Sequence, residues 1–262
     1  MNVPAHFGSP PHPGGTTVPP SRRRAMRARA ARWLLPLALA AAPGAGGAQT
    51  SVKVEDTLAQ RMQACVVCHG REGRATSEGY FPRIAGKPAG YLFNQLVNFR
   101  EGRRTNPIMN YLVQHMSDAY LREIADHFAA QDLPYPPPQP GLAATAAALE
   151  RGARLARQGD AARELPACTS CHGDRLMGVQ PAMPGLLGLP RDYLLGQFGA
   201  WREGIRRASA PDCMATIAKR MSADDVTAVA VWLAAQPVPA GAKPADSPPG
   251  GTLPMDCGSG PR

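Results

Sequence analysis

The chain has 262 residues, of which 44% are hydrophobic but 6% aromatic, with 27 glycines, 28 prolines and a formal charge of +9. So thin an aromatic content over that length argues against one large conventional core and for small units filled by something else, such as a buried cofactor. The charge is lopsided, because the first 48 residues hold six arginines (Arg22, Arg23, Arg24, Arg27, Arg29 and Arg32) and no Asp, Glu or Lys.

Those arginines lead into an apolar run over residues 33–42, WLLPLALAAA, which is too short to span a bilayer. Small residues continue to Gly46-Gly47-Ala48, so residues 1–48 read as an N-terminal extension and export signal cleaved after Ala48, with an uncleaved anchor as the alternative. Met26 opens a compact signal of its own. Residues 1–25 then read as an over-extended start or a disordered segment, and His6 and His12 need no function. Loss of the six arginines takes the formal charge from +9 to +3, which removes the footprint of a nucleic-acid binder.

Next in the chain comes a helical segment over about residues 55–64, followed by Cys65-Val66-Val67-Cys68-His69. The same motif returns as Cys168-Thr169-Ser170-Cys171-His172, behind a second helical segment over about residues 144–157. The likeness extends well beyond the cysteines. Residues 83–92, RIAGKPAGYL, answer residues 185–194, GLLGLPRDYL, and Gln95, Phe99, Arg100, Glu101 and Gly102 answer Gln197, Trp201, Arg202, Glu203 and Gly204 at an offset of 102. Met109 and Ser117 then answer Met214 and Ser222 at an offset of 105, so the chain is an internal repeat with small loop insertions.

Residues 91–100 and 193–202 read as central helices of the two copies. Ser117 and Ser222 can N-cap a last helix in each, with acids in the first turn. Leu121, Ile124, Ala125 and Phe128 fall at i, i+3, i+4 and i+7, as do Val226, Val229, Ala230 and Leu233, giving each last helix one apolar face. No alternating strand pattern stands out. The fold expected is all-α: a first domain over residues 52–133, a Pro-rich semi-rigid linker over 134–141, a second domain over 142–236 and an irregular tail over 237–262.

C-x-x-C-H is the signature of covalent haem attachment, since two thiols at this spacing reach the two vinyl groups while the adjacent His bonds the iron. Cys65, Cys68, Cys168 and Cys171 are thus the attachment residues for two haem c groups, and His69 and His172 are axial iron ligands. Paired C-x-x-C elements also bind zinc or act as redox dithiols, but zinc would not need the histidines and dithiols would leave the repeated methionines unexplained. A disulfide within C-x-x-C would give almost no loop-closure benefit. With four haem propionates ionised as ordinary carboxylates, the mature holoprotein would carry about −1.

Met109 and Met214 lie at equivalent places, each in a Pro-containing loop, and are the candidate second axial ligands. His115 and Met116 are nearby competitors in the first copy. The residue matching His115 is Arg220, whereas Met116 is matched by Met221, and both methionines directly precede a helix cap, where packing under the first turn is the natural role. His127, on the last helix of the first copy, reads as a surface or edge residue. Thioether ligation raises the potential relative to two nitrogen ligands, and an iron closed on both faces has no position left for substrate. That points to a carrier of single electrons, not an enzyme, with no small-molecule substrate.

Cys213 and Cys257 have no C-x-x-C partner, and in an exported chain they read as a disulfide that pins the tail beside Met214. Two free thiols are the alternative, with Cys213 then a competing ligand to the second iron.

Through the segments CVVCHG, CTSCHG, FPRIAGKPAGYLFNQLVNFREGRRTNPIM and MPGLLGLPRDYLLGQFGAWREG, residues 52–236 resemble the dihaem class I cytochromes c of the cytochrome c-four type. The resemblance implies two tandem class I cytochrome c domains with haem edges close together, in a periplasmic protein that shuttles electrons towards a terminal oxidase. It also implies that Pro82 and Pro184 offer their carbonyls to His69 and His172. The implied partners are redox proteins, such as a quinol- or substrate-oxidising complex and a terminal oxidase, with loose membrane association a further option. Two rival readings remain at this point. One is a dihaem peroxidase or sulfur-compound oxidase, and the other is the cytochrome subunit of a membrane dehydrogenase complex.

Overall fold

Thr57 accepts a hydrogen bond from the Gln60 amide and starts α1 (Leu58–Arg61), which turns at the buried Met62 into α2 (Gln63–His69). The helix expected over residues 55–64 therefore begins later, and after the turn it runs through the Cys-x-x-Cys-His motif itself. These elements come from a computed structural model that describes residues 54–76, 80–139 and 144–260, all within one compact unit. The export signal read over residues 1–48 lies outside the described residues, as do Pro140 and Gly141 of the linker.

Pro88 precedes α3 (Ala89–Arg100), where a residue without an N–H costs no helical hydrogen bond. Asn106 then caps α4 (Pro107–Val113), and Ser117 caps α5 (Asp118–Ala129) by accepting from the Tyr120 amide. Leu92 and Phe99 of α3 pack with Met62, Val113 and the α5 stripe of Leu121, Ile124, Ala125 and Phe128 into one core cluster. Full burial of side chains of this size contributes about 1.5–3 kcal/mol each, so these few contacts set how α3 and α5 cross.

The second lobe repeats the plan. α6 (Ala146–Gln158) is capped by Thr145, α7 (Cys168–His172) carries the second motif, and α8 (Arg191–Arg202) follows Pro190 as α3 follows Pro88. Asp212 caps α9 (Cys213–Arg220), while Ser222 and Asp225 form a reciprocal capping box on α10 (Ala223–Ala235). Leu155, Leu194, Phe198, Val226, Val229 and Leu233 join a second core cluster. The α6–α10 crossing depends on Gly152, because a Cβ there would lie 2.2 Å from the Ala228 carbonyl oxygen and 2.7 Å from Trp232 Cβ.

Two features depart from the sequence reading. A two-residue hairpin joins β1 (Gly178–Val179) antiparallel to β2 (Met183–Pro184), too short for any alternation to be visible in the sequence. The segments holding Met109 and Met214, read as loops, are the first turns of α4 and α9. Asn106 and Asp212 accept from the Met109 and Ala215 amides at 3.1 and 3.0 Å and thereby close those turns.

The linker and the tail are irregular but fastened. Arg83 donates to the carbonyls of Leu133 (2.6 Å) and Pro134 (3.0 Å) and stacks over the Tyr135 ring at 4.0 Å. Further along, the Gln139 amide donates to Ala234 O at 3.1 Å. In the tail, Ala245 exchanges hydrogen bonds with Gly178 (2.9 Å) and Gln180 (2.7 Å). Among the described residues no helix is long and apolar enough to cross a membrane.

Candidate functional site

Each motif helix ends on its histidine, and the next residue is a glycine at positive φ, Gly70 at 74° and Gly173 at 81°. A Cβ on Gly70 would fall 2.3 Å from the Ala75 carbonyl oxygen, so the chain can turn there only with glycine. The turn returns the backbone under the imidazole. His69 Nδ1 lies 2.9 Å from Pro82 O, and His172 Nδ1 lies 2.7 Å from Pro184 O. A carbonyl oxygen can only accept, so both rings carry their proton on Nδ1 and leave the Nε2 lone pair free.

Burial lowers the proton affinity of both histidines, His172 being only 6% exposed, and keeps them neutral and able to ligate. Burial also pushes up the thiols of Cys65 and Cys171, and that of Cys168 to about 11. Protonated thiols are poor redox nucleophiles. Cys65, Cys68, Cys168 and Cys171 are unpaired with one another, and among the described residues no group of three or more His, Cys, Asp or Glu is placed to hold a metal ion. The zinc and dithiol alternatives thus find no support in the geometry.

A continuous cavity of about 460 Å³ is lined by both motifs and by Pro82, Pro184, Met109 and Met214. Met109 is the third residue of α4 and Met214 the second of α9, so the two copies differ by one residue in helical register. Met116 and Met221 also line the cavity, and their carbonyls are gripped by matching arginines, Arg100 at 3.0 Å and Arg202 at 3.2 Å. His115 is exposed. His127 is half-buried, with its ring edge-on to Phe128 at 5.1 Å.

Sequence reasoning assigned no role to the residues that join the lobes. Arg104 donates to Gln95 and to Gln197, both at 2.9 Å. Arg206 donates to Gln197 (2.6 Å), Gln95 (3.2 Å) and the Tyr91 hydroxyl (3.3 Å). Each guanidinium stacks on the aromatic ring of its own lobe, Arg104 on Phe99 at 4.6 Å and Arg206 on Trp201 at 3.9 Å. The signal was present in the repeat, since Arg104 and Arg206 are 102 residues apart, as are Gln95 and Gln197.

These residues fit a haem in each lobe. The lining is mostly apolar, with two thiols and one free imidazole nitrogen to hold the group on one side and a thioether on the same wall system. Arg104 and Arg206 line the cavity bonded to the neutral side chains of Gln95, Gln197 and Tyr91, and the buried Trp201 Nε1 has no hydrogen-bond acceptor among the described residues. Anionic propionates would satisfy such donors.

The tail closes over the second site. Cys213 and Cys257 are joined by a disulfide, S–S 2.05 Å and Cα–Cα 5.0 Å, directly beside Met214. The Gly258 amide donates to Pro211 O at 2.9 Å, and Met255, Cys257 and Ser259 contribute to the cavity wall. With its sulfur in that bond, Cys213 is not a thiolate ligand.

No protein-family model matches the chain. Among curated proteins it is 41% identical over 174 residues to a "Thiosulfate dehydrogenase electron acceptor" of Stutzerimonas stutzeri (strain A1501), covering 65% of this chain and 78% of that one. It is 32% identical over 175 residues to a "Cytochrome c4" of Pseudomonas aeruginosa, covering 66% and 84%. The reduced recombinant cytochrome c4 from Pseudomonas stutzeri superposes with a TM-score of 0.58 at 27% identity, over 67% of this chain and 94% of that one. Thiosulfate dehydrogenase (TsdBA) from Marichromatium purpuratum gives 0.59 at 32% identity; this chain spans 66% of its own length there but 36% of that chain. With the repeated motifs, the paired histidine clamps and the two helical lobes, these likenesses place the chain in the cytochrome c4 family: it is a dihaem class I cytochrome c, an all-α electron carrier with two covalently bound haem c groups.

Proposed function

We propose that the protein is a periplasmic shuttle that takes single electrons from a thiosulfate-oxidising dehydrogenase and passes them towards a terminal oxidase. The relative of Stutzerimonas stutzeri named for accepting electrons from thiosulfate dehydrogenase, and the Marichromatium thiosulfate dehydrogenase that contains a region like this chain, support the donor. The arginine-rich, then apolar, pattern of residues 22–48, read as an export signal, supports the compartment. In this reading residues 52–133 and 142–236 are the two cytochrome domains, joined by 134–141.

The haem iron supplies reversible one-electron chemistry. Around it, Cys65 and Cys68, and Cys168 and Cys171, would fix the group covalently, and His69 and His172 would hold the iron through Nε2. Pro82 and Pro184 hold the rings in the tautomer that frees that nitrogen. Met109 and Met214, which line the same cavity, would supply the second ligand to each iron, and an iron so filled would offer no position for substrate. Arg104 and Arg206 favour the reduced state by their charge and hold the two lobes together.

One observation carries the reading: the same histidine-to-proline clamp occurs twice, in a cavity that the two repeat-related methionines also line. The test is to mix the oxidised holoprotein with a purified thiosulfate dehydrogenase and thiosulfate. Both haems should become reduced only when all three are present. Reduction by thiosulfate alone would make the chain itself the enzyme, and failure to accept electrons from the dehydrogenase would refute the donor.

A further inference from the structure

Lys87 belongs to the first lobe, in the turn before α3, yet its Nζ donates to Gly185 O of the second lobe at 2.9 Å. The residue is 4% exposed, and no carboxylate pairs with it among the described residues. Gly185 directly follows Pro184, whose carbonyl accepts from His172 Nδ1. The ammonium is therefore anchored one residue from the group that orients the second histidine, and its field reaches that imidazole. At His69 the corresponding cation is Arg104, of the same lobe.

The repeat shows that this contact has no counterpart. Leu189, 9% exposed, occupies in the second copy the position of Lys87, so no ammonium reaches back towards Pro82. Arg83, which matches Gly185, spends its donors on Ala85 O and the linker carbonyls instead. Ferric haem carries one more positive charge than ferrous, so a fixed cation in a buried, weakly screened place favours reduction of the iron nearest to it.

We propose that Lys87 is a positioning residue that acts on His172 through its charge and raises the potential of the second haem, and not of the first, from across the lobe boundary. This rests on His172 being an axial ligand. Charged or titratable groups facing Lys87 are Arg83 from its own segment and His172 from the other lobe. Burial, with Arg83 adding to it, lowers the lysine to about 7, so its charge is present below that pH.

The test is a potentiometric titration of the holoprotein at about pH 6, where the lysine keeps its charge, with the two haems distinguished by the thioether methyl resonances of Met109 and Met214. In Lys87→Met the ferrous-to-ferric ratio of the second haem should fall about tenfold at fixed potential, equivalent to about 59 mV for one electron, with the first unchanged. Lys87→Gln keeps a donor for Gly185 O and loses the charge, so it should shift the second haem in the same way. A wild-type second potential in Lys87→Gln, or equal shifts of both haems, would overturn the proposal. Absence of the second thioether signal from the wild type would instead indict the ligand assignment.

Discussion

Arg104 donates to the side chain of Gln197 across the lobe boundary at 2.9 Å. Its repeat-related partner makes the reciprocal bond, Arg206 to Gln95 at 3.2 Å, and the backbones run antiparallel between them, with Thr105 N to Ile205 O at 2.9 Å and Arg207 N to Arg103 O at 2.8 Å. Because Arg206 is 6% exposed and serves three acceptors, Arg206→Met should leave Gln95, Gln197 and Tyr91 under-bonded in a buried place. We expect a loss of roughly 2–4 kcal/mol, read by urea denaturation, with a fall in both reduction potentials. An unchanged unfolding midpoint would show that the cluster does not hold the lobes.

Asp225 should contribute to the acid limit of stability. It is fully buried and accepts from Arg151 Nη2 at 2.6 Å, Arg163 Nη1 at 2.5 Å and the Ser222 amide at 2.8 Å. Burial alone would raise its pKa, but the Arg163, Ser222 and Arg151 bonds outweigh that and hold the carboxyl well below the usual carboxylate range. A group depressed in the folded state contributes its full stability above the ordinary carboxylate pKa of about 3.9 and loses it as pH falls towards the folded value. Asp225→Asn should therefore cost about 2–3 kcal/mol at neutral pH, less than a fully buried pair because both arginines are partly exposed. It should also flatten the acid limb of a stability profile measured between about pH 5 and 2, the range in which such a linkage acts.

Loss of the Cys213–Cys257 bond reopens a loop of sequence separation 44. Chain entropy alone puts that at about 4 kcal/mol. Cys257→Ser should lower the unfolding midpoint and weaken the thioether band of the second haem selectively, since Cys213 adjoins Met214. Equal weakening at both haems would contradict the local role given to the tail.

Met109→Leu keeps the apolar volume of the α4 wall but removes the sulfur. The first haem should become high-spin or pick up another ligand, and its potential should drop while the second keeps its spectrum. Absorption of the oxidised protein settles this, and an unaltered thioether band would move the assignment to Met116, which lines the same cavity.

The parts of this molecule that repeat were legible in the sequence, because a duplicated motif states its own equivalences. Cys65 to His69 against Cys168 to His172, the capping serines and the apolar stripes of α5 and α10 all followed from spacing and side-chain type. What escaped was set by contacts between distant residues. Nothing local in residues 104–109 or 206–214 distinguishes a loop from a short helix until Asn106 and Asp212 turn inward to cap it. Nothing beside Lys87 in the sequence marks it as buried; its acceptor, Gly185 O, lies 98 residues away in the second lobe. The hairpin of β1 and β2, at two residues a strand, is too short for periodicity to register.

Across the boundary the same patch meets itself, as in a two-fold pair of identical subunits, and one polypeptide now supplies both halves. Two copies from a single gene must change together, so any residue altered in one is altered in its mate. A fused pair escapes that constraint. Here position 87 is lysine while its twin, position 189, is leucine, an inequality that two products of one gene could not carry, so the two irons of a tandem chain are free to settle at different potentials.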